Sequence, residues 1–200
     1  MSPAQVTKAL THLKRDKKLA VLIKKYPKPA FTHGRDPFDA LCRAIVGQQL
    51  SVKAAATIYS RFRALYKKLT PTAVARTKLE KFRGVGLSKQ KASYVVDLAK
   101  KFLDGTVDPK HFSTTSDEVI RTHLVAVKGV GRWTADMFLM FTLHRPDILP
   151  TGDLGIQKGM QKLFKLRTLP SHEKMEKLAE PWRPYRTVAC RYLWDSLDTS

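Results

Sequence analysis

Apolar side chains along this chain recur three and four positions apart and seldom alternate, which is the period of helices with one buried face. Asp36-Pro37 supplies a cap followed by proline at the first helical position, and Phe38, Leu41 and Ile45 then predict a helix over about 37–46. Gly47-Gln48-Gln49-Leu50 breaks the pattern. Ser51 then stands as the cap of a second helix with an apolar stripe of Val52, Ala55, Tyr59, Phe62 and Tyr66. Thr70-Pro71 opens a further short helix, and Thr115 with Glu118 has capping-box spacing ahead of Val119, Ile120, Leu124 and Val125. The basic, weakly amphipathic segment to Tyr26 predicts one or two helices, closed by Pro27 and Pro29. No run alternates well enough for a strand. With no low-complexity linker dividing residues 1–200, the expectation is one all-α domain.

One arrangement occurs twice. Leu79 to Phe82 leads through Arg83-Gly84-Val85-Gly86 into a helix expected from about Ser88 to Phe102, and Leu124 to Lys128 leads through Gly129-Val130-Gly131 into one from Trp133 to about Leu143. Each predicts a helix, a tight glycine hairpin and a second helix. Such a hairpin is equally a plain turn between packed helices, since glycine adopts positive φ at little cost. It also points backbone N–H groups and the positive end of a helix dipole outward, which suits a phosphate oxygen.

Composition sharpens that choice. Against 17 acidic residues stand 37 Lys and Arg, a formal net charge of +20, so the surface calls for a polyanionic partner. A membrane is the weaker candidate: no stretch nears about 18 consecutive apolar residues and the N-terminus lacks a signal-peptide core, so the expected location is intracellular, cytoplasm or nucleoid in a prokaryote and nucleus in a eukaryote. Cys42 and Cys190 are too few for a four-thiolate cluster or a disulfide scaffold and are expected as buried, inert thiols. The six histidines have no ligand-like spacing, so no side-chain metal site is expected.

From Leu124 through Lys128-Gly129-Val130-Gly131-Arg132-Trp133-Thr134-Ala135, and then Leu149-Pro150-Thr151-Gly152-Asp153, the chain resembles the helix-hairpin-helix, Gly/Pro-rich, Asp superfamily of DNA glycosylases, and most of all its AlkA-type branch acting on alkylated bases. The resemblance runs from about Asp36 to Trp194 and includes Ile45 to Ser51 and Trp182-Arg183-Pro184-Tyr185-Arg186. Many non-catalytic DNA-binding proteins carry a hairpin; the aspartate 20 residues beyond Trp133 is what selects the glycosylases. The resemblance implies a compact helical fold with its cleft between two lobes, the hairpin motif at about 117–143 and no added N-terminal domain.

It also implies roles. Asp153, which from local sequence alone is the cap of a helix starting near Leu154, becomes the catalytic carboxylate: cleaving the bond between sugar C1′ and a base nitrogen builds oxocarbenium-like charge, and a fixed anion beside C1′ lowers that barrier. Strand-cutting relatives carry a lysine at the place of Trp133, so an enzyme without lyase activity is expected. The target base must leave the helix for a pocket. Trp133 and Tyr185 match pocket positions, with Phe38 and Trp182 as further candidates, and Met137 stands where some relatives place a tyrosine. Gln49 is the side chain expected to fill the gap in the base stack, with Leu50 second. Ser51, Lys53, Lys128, Gly129, Val130, Gly131, Arg132, Thr134, Lys89 and Lys91 are expected along the DNA backbone or minor groove. Main-chain carbonyls of Val125, Val127 and Gly129 are expected to hold a monovalent cation, Na+ or K+, with no other cofactor. The expected partner is double-stranded DNA carrying alkylated bases, bound by a monomer. Two alternatives stand: a non-catalytic hairpin DNA-binding protein, and a glycosylase for deaminated or mismatched bases.

Overall fold

The computed structural model describes residues 1–31 and 36–197, and within them all regular structure is helical. Two helices, α1 (Pro3–Leu13) and α2 (Lys17–Lys25), come before α3 (Pro37–Gly47), α4 (Val52–Ala64), α5 (Pro71–Ala75), α6 (Leu79–Gly84) and α7 (Lys89–Leu103). After these follow α8 (Asp117–Val125), α9 (Arg132–Phe141), α10 (Leu154–Phe164), α11 (His172–Ala179) and α12 (Arg186–Asp195). None among the described residues is long and apolar enough to cross a membrane.

Local sequence accounts for most of the helix starts. Asp36 accepts the Asp39 N–H at 3.0 Å, Ser51 the Ala54 N–H at 3.3 Å, and Thr70 the Ala73 N–H at 3.2 Å. One expected cap is displaced by a residue: Ser116 caps α8 through the Val119 N–H, while the Thr115 hydroxyl donates to the His111 carbonyl. The two hydroxyls are chemically equivalent, and the upstream turn at His111 claims the first. The apolar stripe of α4 is also shorter than its spacing suggests. Tyr59 and Phe62 are buried, but Val52 is 89% exposed.

The chain forms two compact units, with the boundary inside α9. One comprises α1, α2 and the chain from Leu139 onward; the other is the intervening segment up to Phe138. In the first, Leu13, Leu19, Trp182, Tyr192 and Leu193 are fully buried. There α10 and α12 approach closely because Gly159 presents no side chain: a Cβ at that position would lie 3.0 Å from the Leu193 carbonyl oxygen. In the second, Leu41, Ile45, Phe62, Phe82 and Leu98 form the core, where α7 packs on α3, α5 and α6. Both cysteines are buried, and desolvation raises the Cys42 thiol well above its ordinary range, as expected of an inert thiol.

Candidate active site

Asp153 takes the capping place that its local sequence predicts. It is the N-cap of α10, and its Oδ1 accepts the Ile156 N–H at 2.8 Å. The same oxygen accepts the Trp194 indole N–H at 2.9 Å. One donor is a first-turn amide at the positive end of a helix and the other a fixed side-chain dipole, and together they set the orientation of the carboxylate. Trp194 in turn leans on Phe141, ring centroids 5.8 Å apart, and the Arg191 guanidinium lies over the Phe141 face at 5.6 Å. Gly155 makes this possible. A Cβ there would stand 2.9 Å from the indole, so any larger residue would push Trp194 off the carboxylate.

Trp194 was not among the sequence-derived site residues. Its signal was present only in the extent of the family resemblance, which ends on it; nothing local distinguishes it from a core tryptophan. Two aromatics singled out for the pocket are packed elsewhere. Trp182 is fully buried, stacks on Phe164 and donates its indole N–H to Asp16 at 2.8 Å. Phe38 is buried edge-on to Phe102. Each fills its own unit's core. Tyr185 is half-buried, meeting His12 edge-on at 5.5 Å, and His12 also hydrogen-bonds the Pro181 carbonyl.

In the other unit, Trp133 and Met137 fall one turn apart on α9, and Trp133 is 50% exposed. Thr134, beside it, is buried and faces away from solvent. The α8–α9 hairpin is clamped by an ion pair between two nearly buried side chains, Arg121 Nε to Asp136 Oδ1 at 2.8 Å. Burial raises the Asp136 carboxyl despite the neighbouring guanidinium. The left-handed residue of this hairpin is Gly129, with φ +80°, rather than Gly131. Two hairpin amides are already engaged: Lys128 N–H donates to Asp97 at 2.9 Å and Val130 N–H to the Val127 carbonyl at 3.0 Å. An incoming phosphate would therefore meet the later amides of Gly131 and Arg132, at the start of α9, where the helix itself provides no acceptor. Lys128 and Arg132 are exposed beside them.

The loop between α3 and α4 projects Gln49 and Leu50, both exposed, and Gln49 has the left-handed φ of 56°. Ser51 is occupied as the α4 cap, and Lys53 and Lys89 are exposed in the first turns of their helices. Lys91 differs from the expectation of a DNA contact. Its ammonium turns inward, donating to the carbonyls of Val46 at 2.8 Å and Gln48 at 2.6 Å.

No group of three or more His, Cys, Asp or Glu side chains suited to a metal occurs among the described residues. The carbonyl-rich loop from Val125 to Gly131 forms a shallow concavity. In it the Gly129 carbonyl accepts the Gln48 amide at 2.8 Å, and that of Val127 accepts the Val130 N–H.

Residues 42–184 match the profile described as "HhH-GPD superfamily base excision DNA repair protein". The chain is 32% identical over 197 residues to DNA-3-methyladenine glycosylase 1 of Schizosaccharomyces pombe, covering 94% of this chain and 86% of that one. A solved structure described as S. pombe 3-methyladenine DNA glycosylase (Mag1) in complex with abasic DNA superposes with a TM-score of 0.80 at 32% identity, covering 96% of this chain and 98% of that one. A DNA-3-methyladenine glycosidase from Bacillus halodurans superposes with a TM-score of 0.87 at 33% identity, covering 99% and 90% of the two chains.

Proposed function

The chain belongs to the HhH-GPD superfamily of base excision DNA repair proteins, and from that premise we propose that it is a monofunctional DNA glycosylase that removes alkylated bases of the 3-methyladenine kind by hydrolysing the N-glycosidic bond. The observation that carries this is the Asp153 carboxylate, fixed by two N–H donors on one oxygen. A carboxylate already oriented by the fold loses little freedom when positive charge develops on the sugar, and electrostatic stabilisation of that kind contributes on the order of 2.7–4 kcal/mol per well-placed group. An alkylated base such as 3-methyladenine carries positive charge before the bond breaks and departs readily, so no separate general acid is required. Asp153 then has two tasks, to stabilise the sugar cation and to orient the water that attacks C1′.

Other residues of the chain support the preceding steps. Trp133, half exposed and electron-rich, is suited to stack on a cationic base turned out of the duplex, with Met137 one turn away and Tyr185 as a further aromatic. Gln49 is suited to enter the gap left in the stack, with Leu50 beside it. The amides of Gly131 and Arg132 with the Lys128 ammonium are suited to grip a phosphate. A monovalent cation at the hairpin would be held by carbonyls of Val125, Val127 and Gly129 and would add positive charge against that phosphate; two of the three already accept a hydrogen bond, leaving one lone pair each for an ion. Trp133 offers no amine for attack on C1′, so the product is an intact abasic site.

Base release from methylated DNA, resolved by chromatography, tests the reading. Asp153→Asn keeps an acceptor for both donors but removes the charge; excision should fall by about a hundredfold or more with lesion-DNA affinity held within a few-fold. Wild-type turnover in that variant would overturn the assignment, and binding without any base release by the native protein would return the chain to a DNA-binding module. Borohydride should trap no covalent adduct, and strands should break only after alkali or heat.

A further inference from the structure

Helix α7 carries three residues at successive three-residue steps, Lys91, Tyr94 and Asp97, and each addresses one of the two loops assigned to DNA. Lys91 holds the loop that presents Gln49: its ammonium caps the carbonyl end of α3 at Val46 and Gln48. Tyr94 and Asp97 hold the hairpin. The Tyr94 ring lies so flush against Gly129 that a Cβ there would stand 2.1 Å from it, and Asp97 accepts the Lys128 N–H. Between the loops runs a direct tie, Gln48 Nε2 donating to the Gly129 carbonyl at 2.8 Å. The residue whose carbonyl Lys91 grips is therefore the residue whose side chain grips the hairpin.

We propose that Lys91 is a positioning residue that, through Gln48, fixes the spacing between the inserted Gln49 and the phosphate-gripping hairpin. This rests on the roles given to those loops under the proposed function. The physical argument is one of register. A phosphate held at the hairpin fixes where the duplex lies, so the inserted side chain reaches the stack only if its loop keeps a set distance from that hairpin, and an error of about 1 Å in such placement costs on the order of a hundredfold in rate. The Gln48-Gln49 backbone is held by long hydrogen bonds, Gln48 N–H to the Ile45 carbonyl at 3.4 Å and Leu50 N–H to that of Gly47 at 3.3 Å; Gln49 adopts a left-handed conformation that glutamine disfavours, and the Val46 and Gln48 carbonyls stand at the open end of α3. A cation satisfying two of those carbonyls from a separate helix supplies the restraint. Partial burial lowers the Lys91 ammonium from its ordinary range, as expected of a charge enclosed by backbone oxygens instead of lying along solvent-exposed DNA.

The test compares Lys91→Met, Lys91→Arg and Gln48→Ala on two duplexes carrying one 7-methylguanine, placed opposite cytosine or opposite an abasic-site analogue, where no pair has to be broken. Lys91→Met and Gln48→Ala should slow single-turnover excision from the paired duplex about tenfold or more, yet stay within about threefold of wild type on the unpaired one. The double variant should be no slower than the slower single, since both act through one tie. Lys91→Arg, which keeps the cation, should recover part of the rate. Equal losses on both duplexes, or none on either, would overturn the proposal. Hydrogen exchange gives a readout independent of activity: in Lys91→Met the amides of 49–51 and of 128–131 should exchange faster together, and unchanged protection of the hairpin would sink the coupling. Should the native protein excise nothing from either duplex and release no base from methylated DNA, the proposed function fails while the exchange result still decides whether Lys91 couples the loops. If Lys91→Met does not fold, Gln48→Ala carries the same comparison.

Discussion

Asp153 and Trp194 share one hydrogen bond on which the catalytic reading makes a sharp demand. The indole N–H orients the carboxylate without touching substrate through that bond, so Trp194→Phe, which keeps the ring and deletes the donor, should lower single-turnover excision by about ten- to a hundredfold, in line with about 1.5–3 kcal/mol for a hydrogen bond to a charged group. Undamaged-DNA affinity should not move. Gly155→Ala reaches the same end by crowding, because the new methyl would stand 2.9 Å from the indole and 3.0 Å from Asp153 Oδ1. It should cost about 1–3 kcal/mol of stability, read by thermal or urea unfolding, and should slow excision as well. Stability lost with full excision retained would show that the Trp194 contact is packing alone.

At the scale of the helix and its turn, the hairpin depends on Gly129 more than on Gly131. The sequence pattern treats the two glycines alike, but only Gly129 has positive φ and lies against an aromatic ring. Gly129→Ala should therefore cost at least about 1–3 kcal/mol and weaken binding to damaged and undamaged DNA equally. Gly131→Ala, with an ordinary φ and nothing within 4 Å of the added methyl, should melt like the wild type, so any loss of DNA affinity it shows reports crowding of a phosphate. The Arg121–Asp136 pair fixes the two hairpin helices to one another. Asp136→Leu removes the buried partner of a nearly buried guanidinium that keeps the more exposed Glu118 carboxylate, and should destabilise by about 1–3 kcal/mol, checked by chemical denaturation.

For the whole molecule, the charge of +20 sets how DNA is approached before any lesion is found. Affinity for undamaged duplex should fall steeply with salt, and Lys128→Gln should reduce the slope of log K against log salt by about 0.9, one phosphate's worth. Trp133→Ala should leave that slope unchanged while erasing the preference for lesion DNA, and equal losses on both duplexes would remove Trp133 from the pocket. The chain's charge, its helical period, the caps at Asp36, Ser51, Thr70 and Asp153, and the hairpins were all legible in sequence, because each depends on residues within one or two turns of one another. The aspartate beyond the hairpin stood out through the family resemblance, by its distance from Trp133 along the chain. What the linear chain could not rank was aromatic against aromatic. Trp182 and Trp194 differ by 12 positions and not at all in composition, yet one is sealed behind Phe164 and Asp16 and the other reaches the carboxylate. Lys91 is likewise one lysine among many on a basic chain until α7 turns it toward the end of α3. Short-range geometry is written in adjacent residues, whereas the choice of which side chain is covered, capped or left to meet DNA belongs to helices distant in sequence, and only their packing makes it.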